Sequence, residues 1–308
     1  AEIDATRFGA PNTLIEDNLG VLELRYSQES DKASDLAVAA AENALARCDI
    51  PLDHIDLIIY CGIEGDYVEP ATAHEVQHRL GLTGECHDLS NACLGLMTGI
   101  RTANAYIAAG FVRYVLLCTA DRPSAVSRKI IKNLRQSNDA ALFHSHIGAL
   151  TAGDSGAAIL LGPAEPGRGF VGFHGASRGR HAQLCYYTNE NGEIQGQMKM
   201  NQISARMVSM HKEVLPLLTQ RLSWDVDDID VFITHQIGKR PFEKVRELLG
   251  VSRAKMTQTY AELGNIATST FAVNFAQALD SGLATQGSKI YALMAGSGLS
   301  VVHAAMRV

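Results

Sequence analysis

Residues 52–62 read LDHIDLIIYCG, and residues 226–236 read VDDIDVFITHQ. Each carries an Asp, then an Ile-Asp pair, then an apolar run of strand length, at an offset of about 174 residues. A second pair lies at almost the same offset: RYVLLCTA at 113–120 and SKIYALMA at 288–295. Two matches at one offset point to an internal duplication. The halves fall at 1–163 and 164–308, with the Pro/Gly-rich segment GPAEPGRG at 162–169 as the junction. Amphipathic stretches at 33–48 and 208–222 precede the first repeated strand in each half. Helices alternate with short apolar strands, which predicts α/β layers with buried central strands. No polar linker separates the halves, so the expectation is one rigid body with pseudo-twofold symmetry.

Composition narrows the function. The 308 residues are 46% hydrophobic and 19% charged, with a net charge of −6. That is globular composition, and it excludes a disordered or fibrous chain. No apolar run approaches the roughly 18 residues of a membrane span. No Lys/Arg run exists; RKIIKNLR at 128–135 spaces its cations as a solvated helix face, so a nucleic-acid partner is not expected. The six Cys, at 48, 61, 86, 93, 118 and 185, form no CxxC. Free thiols in a reducing compartment, the cytoplasm, are expected.

Three residues stand out. Cys93, in ECHDLSNACLGLMTG (85–99), follows a short strand and opens an Ala-rich helix, where unpaired N–H groups favour a thiolate. Gly95 and Gly99 would let that helix pack closely. His235 ends the repeated strand, at the edge where α/β ligand sites form. Asn265, in LGNIATST (263–270), precedes another helix. Each has a bland alternative: a buried structural Cys, a hydrogen-bonded core His, a helix-capping Asn. The duplication weighs against all three being packing residues. Cys93 shifted by about 175 lands on Thr268, beside Asn265, so two helix starts face each other near His235. Two other patterns are decoys. GDSG at 153–156 lacks the β-rich context of a trypsin-like nucleophile turn, and GASRG at 175–179 lacks the helix that must follow a nucleophile elbow. No His/Cys set has recognised metal spacing, so no metal is expected.

At NACLG (91–95), HQIGKR (235–240) and GN (264–265) the sequence resembles the thiolase superfamily, and within it β-ketoacyl-acyl-carrier-protein synthase III. The order Cys, His in an HQ motif, then Asn after Gly is reproduced over residues 35–308. The resemblance implies a five-layered αβαβα fold, a Cys-bearing half at 1–163 and a His- and Asn-bearing half at 164–308. It implies an acyltransferase in which Cys93 becomes acylated from an acyl-CoA or acyl-carrier-protein thioester. Backbone N–H groups of Cys93 and Gly298 would form the oxyanion hole. His235 and Asn265 would then stabilise the enolate left when a malonyl-type thioester loses CO₂, with a β-keto product and no cofactor.

The chain also departs from the family. HQAN is HQIG here, so Gly238 replaces an Asn beside the substrate arm. Glu69 stands in the segment 66–77, the loop that caps a partner's acyl tunnel, where an apolar residue is usual. These differences point to specialised lipid or polyketide-type metabolism. Lys239 and Arg240 are expected to dock an acidic carrier protein or a phosphopantetheine phosphate. A homodimer, or a dimer with a homologous chain, is expected, with the strand 114–118 and the Glu69 loop as contacts. Two other readings stay open: acyl transfer to an oxygen or nitrogen acceptor with His235 as base, and a non-catalytic subunit of a heteromeric synthase. Acylation is expected to need only the helix-start thiolate, with His235 and Asn265 acting afterwards.

Overall fold

The computed structural model describes residues 3–190 and 193–308. In chain order the first part runs α1 (Ala33–Leu45), β1 (Leu57–Tyr60), α2 (Thr72–Leu80), β2 (Glu85–Asp88), α3 (Gly95–Ala108), β3 (Val115–Asp121), α4 (Ser124–Arg135), α5 (Ala140–His146) and β4 (Ser155–Leu161). The second runs β5 (Gly169–Ser177), β6 (Cys185–Glu190), β7 (Glu193–Met198), α6 (Met200–Leu222), β8 (Val231–Thr234), α7 (Lys239–Leu249), α8 (Tyr260–Leu263), α9 (Thr270–Asp280), β9 (Lys289–Gly296) and β10 (Ser300–Arg307).

The repeated segments become the same substructure twice. A short 3₁₀ turn, Leu52–His54 or Val226–Asp228, leads into β1 or β8. One sheet has the order β2-β1-β3-β4 and the other β5-β10-β9-β8. In each, a parallel pair (β1 with β3, β8 with β9) is followed by an antiparallel partner, β4 or β10. β6 and β7 form a separate hairpin. The GASRG segment ends β5 and runs into a 3₁₀ turn, Gly179–Leu184, so no nucleophile elbow forms there.

Strand side chains alternate between faces, and here both faces are covered. Leu57 and Ile59 of β1, Val115 and Leu117 of β3, and Val231 and Ile233 of β8 share one core with Leu96 and Ile100 of α3 and Phe271 of α9. The intervening residues Ile58, Tyr60, Leu116 and Cys118 pack under α1 and α2. Phe232, Tyr291 and Leu293 pack against Leu218 of α6 and Phe242 and Val245 of α7. The result is five layers, αβαβα, with α3 and α9 in the middle. Each fully buried Ile, Leu or Phe contributes about 1.5–3 kcal/mol of transfer free energy. Gly95 lets α3 approach this closely: a Cβ there would overlap the Cys61 carbonyl, and one on Gly99 would meet the Cys61 sulfur at 2.5 Å.

The expectation that strand 114–118 forms a dimer contact is not met. β3 lies between β1 and β4 and is buried at every position. Its unbroken apolar run is the mark of a central strand, not of an interface. The outer strands of that sheet are β2 and β4, and β2 has Glu85 and Asp88 exposed.

Candidate active site

Cys93 sits in a tight turn between β2 and α3. Gly95 N–H donates to the Ala92 carbonyl at 2.9 Å, and Leu94 N–H to that of Asn91 at 2.9 Å. Ala92 has φ 44°, left-handed backbone that costs an L-residue roughly 1–2 kcal/mol. Ala267 repeats it, with φ 42°, at the matching point before α9. There Thr268 takes the place of Cys93, and it bonds inward: its N–H donates to Asp121 at 3.0 Å, and its hydroxyl bonds Asp121 and Thr119.

One cavity of roughly 80 Å³ gathers Cys93, His235 and Asn265 from three separate loops. His235 directly follows β8 and is tied down by its N–H to the Leu293 carbonyl, 3.0 Å. The adjoining Gln236 fixes that strand end. Its amide donates to Thr257 and Asn274, both at 2.9 Å, and its oxygen accepts from the N–H of Thr259 at 2.8 Å. So the two residues of the HQ motif divide the work, one facing the cavity and one holding the frame. Asn265 accepts from the Ala267 N–H at 3.0 Å through Oδ1, which leaves its NH₂ as the donor end.

Burial sets the protonation states. The Cys93 thiol is pushed up to about 12 by desolvation, with the buried Asp121 carboxyl and Cys185 adding to it. His235 is held down to about 4 by burial, so its imidazole is neutral at physiological pH. Its Nδ1 is buried without a partner among the described residues. The helix begins two residues beyond Cys93 and does not turn the thiol into a resting thiolate.

Gly298 is not among the residues lining the cavity; Gly296, Ser297 and Leu299 are the ones on that turn. Ser297 also donates its hydroxyl to Cys185 at 3.1 Å. Gly238 has φ 141°, and a Cβ there would meet the Leu19 carbonyl oxygen at 2.8 Å. Glycine is therefore required where HQIG departs from HQAN. Lys239 and Arg240 begin α7 and are both exposed. Arg240 lines a groove of about 570 Å³ with Lys199, Lys244 and His144, and this groove shares Met200, Ser204 and Pro241 with the Cys93 cavity. Lys239 is not among the groove residues; its Cβ packs toward Gly20. Glu69 is exposed beside Val68, outside its own chain's cavity.

Comparison with known proteins agrees with this geometry. Residues 87–179 match the family described as 3-oxoacyl-[acyl-carrier-protein] synthase III, and residues 219–308 match its C-terminal part. Together the matches take in more than half of the chain. The chain belongs to the synthase III family. It is 28% identical over 283 residues to the β-ketoacyl-[acyl-carrier-protein] synthase III of Staphylococcus aureus strain JH1, covering 91% of this chain and 85% of that protein. Xanthomonas campestris OleA with cerulenin bound superposes at a TM-score of 0.92 with 25% identity, over 99% of this chain and 89% of OleA. OleA with lauric acid and lauroyl-CoA superposes at 0.91 with 24% identity, over 99% and 91%.

Two residues that line the cavity, His211 and Cys185, carry no signal in the sequence. Asp121 accepts from the Ile63 N–H at 2.8 Å, and burial raises its carboxyl pKa. A Thr-Ala-Asp after a strand is the one local signal for it. His211 comes from the middle of α6, and only the tertiary fold brings it to the cavity. Among the described residues no cluster of three or more His, Cys, Asp or Glu could hold a metal, and no helix is long and apolar enough to cross a membrane.

Proposed function

We propose that this chain is a condensing acyltransferase. The Cys93 sulfur attacks an acyl thioester, the donor thiol leaves with the proton passed on by His235, and an acyl-Cys forms. A malonyl-type thioester then enters. Its C–C bond to the carboxylate breaks, CO₂ departs, and the electron pair moves onto the thioester oxygen. His235 and the NH₂ of Asn265 donate to that enolate oxygen. The carbon attacks the acyl-Cys carbonyl, the Cys93 sulfur leaves and regains a proton, and a β-keto thioester results. The observation that carries this reading is the convergence of Cys93, a neutral His235 and the donor end of Asn265 on one cavity. Transfer to an oxygen or nitrogen acceptor would leave Asn265 without a task, and a non-catalytic subunit would leave all three.

The acyl-carrier-protein synthase among the relatives, and the lauroyl-CoA bound by OleA, support CoA or acyl-carrier thioesters as the donor class; specialised lipid or polyketide-type metabolism is part of the same proposal. The arm enters by the groove, where Arg240, Lys199 and Lys244 offer positive charge to a phosphate or an acidic carrier helix. For the oxyanion hole we propose the N–H of Cys93 with one from the glycine turn, Ser297 or Gly298. The functional division of the halves at 1–163 and 164–308 belongs to the same proposal, as does a cytoplasmic setting for six free thiols. So does a dimer. Ile63, Tyr67 and Val68 are exposed apolar residues in the loop after β1, beside the outer strand β2. Pairing there with a second copy or a homologous chain would cover them and carry Glu69 toward the other chain's tunnel. The test is intact-protein mass spectrometry with a panel of acyl-CoA and acyl-carrier thioesters, then malonyl thioester. One added acyl mass on the Cys93 peptide, discharged with CO₂ release, is expected. Acylation that persists in Cys93→Ala would overturn it.

A further inference from the structure

One side chain in the catalytic cavity has no task in this mechanism. His211 lies about three turns along α6 from its groove end at Met200 and lines the cavity with Cys93, His235 and Asn265. It is 3% exposed. Its Nδ1 is 2.8 Å from Nε2 of His303, and Nδ1 of His303 is 3.0 Å from the Tyr291 hydroxyl. His303 on β10 and Tyr291 on β9 are fully buried. Burial, with the His235 ring adding to it, holds His211 down to about 4. Burial likewise holds His303 well below its ordinary value, with His211 and His174 adding to it. Both rings are therefore neutral.

The protons decide which way this chain points. A neutral imidazole has one N–H and one bare nitrogen. The Tyr291 hydroxyl hydrogen has its acceptor in Nδ1 of His303 and no other among the described residues. With that bond made, His303 carries its hydrogen on Nε2 and donates to Nδ1 of His211. His211 then carries its own hydrogen on Nε2, the edge of the ring left for the cavity. The reverse order would bury a hydroxyl hydrogen without an acceptor, at a cost of about 1–3 kcal/mol.

We infer that His211 is a specificity-determining residue whose Nε2–H bonds an oxygen on the β-carbon of the thioester held by His235 and Asn265. The substrates selected are β-oxygenated thioesters: 3-keto, 3-hydroxy or carboxylated, in preference to plain alkyl. The neighbouring wall is apolar, with Met207, Val208, Val245 and Leu299. A plain alkyl chain would strip water from the His211 N–H and give nothing back. The inference rests on the reading that a thioester occupies this cavity.

Calorimetric titration tests it, using Cys93→Ala protein so that no acyl group is transferred. Butyryl-, acetoacetyl-, 3-hydroxybutyryl- and malonyl-CoA are compared, and the malonyl arm separates a carboxylate from a keto or hydroxyl oxygen. At least one oxygenated thioester should bind about ten- to a hundredfold tighter than butyryl-CoA. Adding His211→Leu should bring all four within about threefold. Tyr291→Phe, which keeps the ring and its packing, removes the bond that fixes the His303 tautomer, so that Nε2 of His211 is free to accept as well as to donate. Acetoacetyl-CoA should then lose part of its advantage while 3-hydroxybutyryl-CoA, whose hydroxyl can donate, keeps it. A purely structural role for Tyr291 would not split the two. Butyryl-CoA binding as tightly as all three oxygenated thioesters overturns the inference and leaves the thioester reading standing. So does a preference unchanged by His211→Leu. Failure of every thioester to bind overturns both.

Discussion

His235→Ala should slow the first half-reaction as well as the second. The Cys93 thiol stands at about 12 against an ordinary 9.0, pushed there by burial and by Asp121. At pH 8 roughly one molecule in ten thousand then carries a thiolate, against about one in ten for an ordinary thiol. Acylation near neutral pH must therefore draw the proton away as the bond forms, and His235, held neutral, is the base in the cavity. Removing a positioned general base typically costs about 10²–10⁴ in rate. The assay is quenched-flow mass spectrometry of the Cys93 peptide after mixing with a donor thioester. Acylation should fall by that factor in His235→Ala and stay within about threefold of wild type in Asn265→Ala, whose later decarboxylation should fail. Alkylation of Cys93 by iodoacetamide should climb about tenfold per pH unit past pH 10, since the thiolate fraction is still rising there. A plateau near pH 8, with His235→Ala acylating at the wild-type rate, would mean that the helix start alone supplies a thiolate. Intact product formation in Asn265→Ala would instead remove the enolate step and favour an oxygen or nitrogen acceptor.

Other consequences can be measured directly. Gly238→Ala places a Cβ 2.8 Å from the Leu19 carbonyl at φ 141°, and should lower stability by about 1–3 kcal/mol in denaturant unfolding. Arg240→Glu should raise KM for a carrier-bound donor more than for a small CoA thioester, and Lys239→Glu should do less, because only Arg240 lines the groove. Equal effects of the two would return the pair to an ordinary basic helix start. Val68→Asp should shift a dimer toward monomer in light scattering, since Val68 is the most exposed apolar side chain of the loop after β1. A monomer with full activity would sink the dimer.

The fold was legible because duplication and burial both leave marks in one sequence. The apolar runs within 52–62 and 226–236 read as buried strands, and β1 and β8 form there, buried at every position. That the Cys, His and Asn meet in one cavity was legible because each ends or begins a repeated element. What tertiary packing alone decides was not. The apolar run at 114–118 could not say whether its strand was central or outer, since that depends on β4 arriving from a distance in sequence. The state of Cys93 was misjudged because a helix start argues for a thiolate, whereas desolvation and a carboxylate from β3 argue more strongly against one. His211 left no local mark at all, because its partners His303 and Tyr291 lie far along the chain.

The two strained alanines show how one duplicated device serves two ends. Ala92 and Ala267 bear the same left-handed backbone at the same point before α3 and α9. Such strain persists only where the surroundings over-determine it. In the second half the cause is visible: Thr268 is clamped by Asp121 and Thr119 from the first half's β3, so the turn stitches the halves together. In the first half the turn carries a thiol that faces the cavity. The same Asp121 serves the stitch and opposes the thiolate. A test follows from that double role. Thr268→Val should remove the hydroxyl bond to Asp121 Oδ2, which then keeps only the backbone N–H at 268, and loosen the contact between halves, lowering stability by about 1–3 kcal/mol. It should also leave the carboxylate less well satisfied beside Cys93, so alkylation of Cys93 by iodoacetamide should change together with stability. If Thr268→Val unfolds earlier while the Cys93 pH profile stays fixed, Asp121 governs only the joint, and burial alone keeps the thiol protonated.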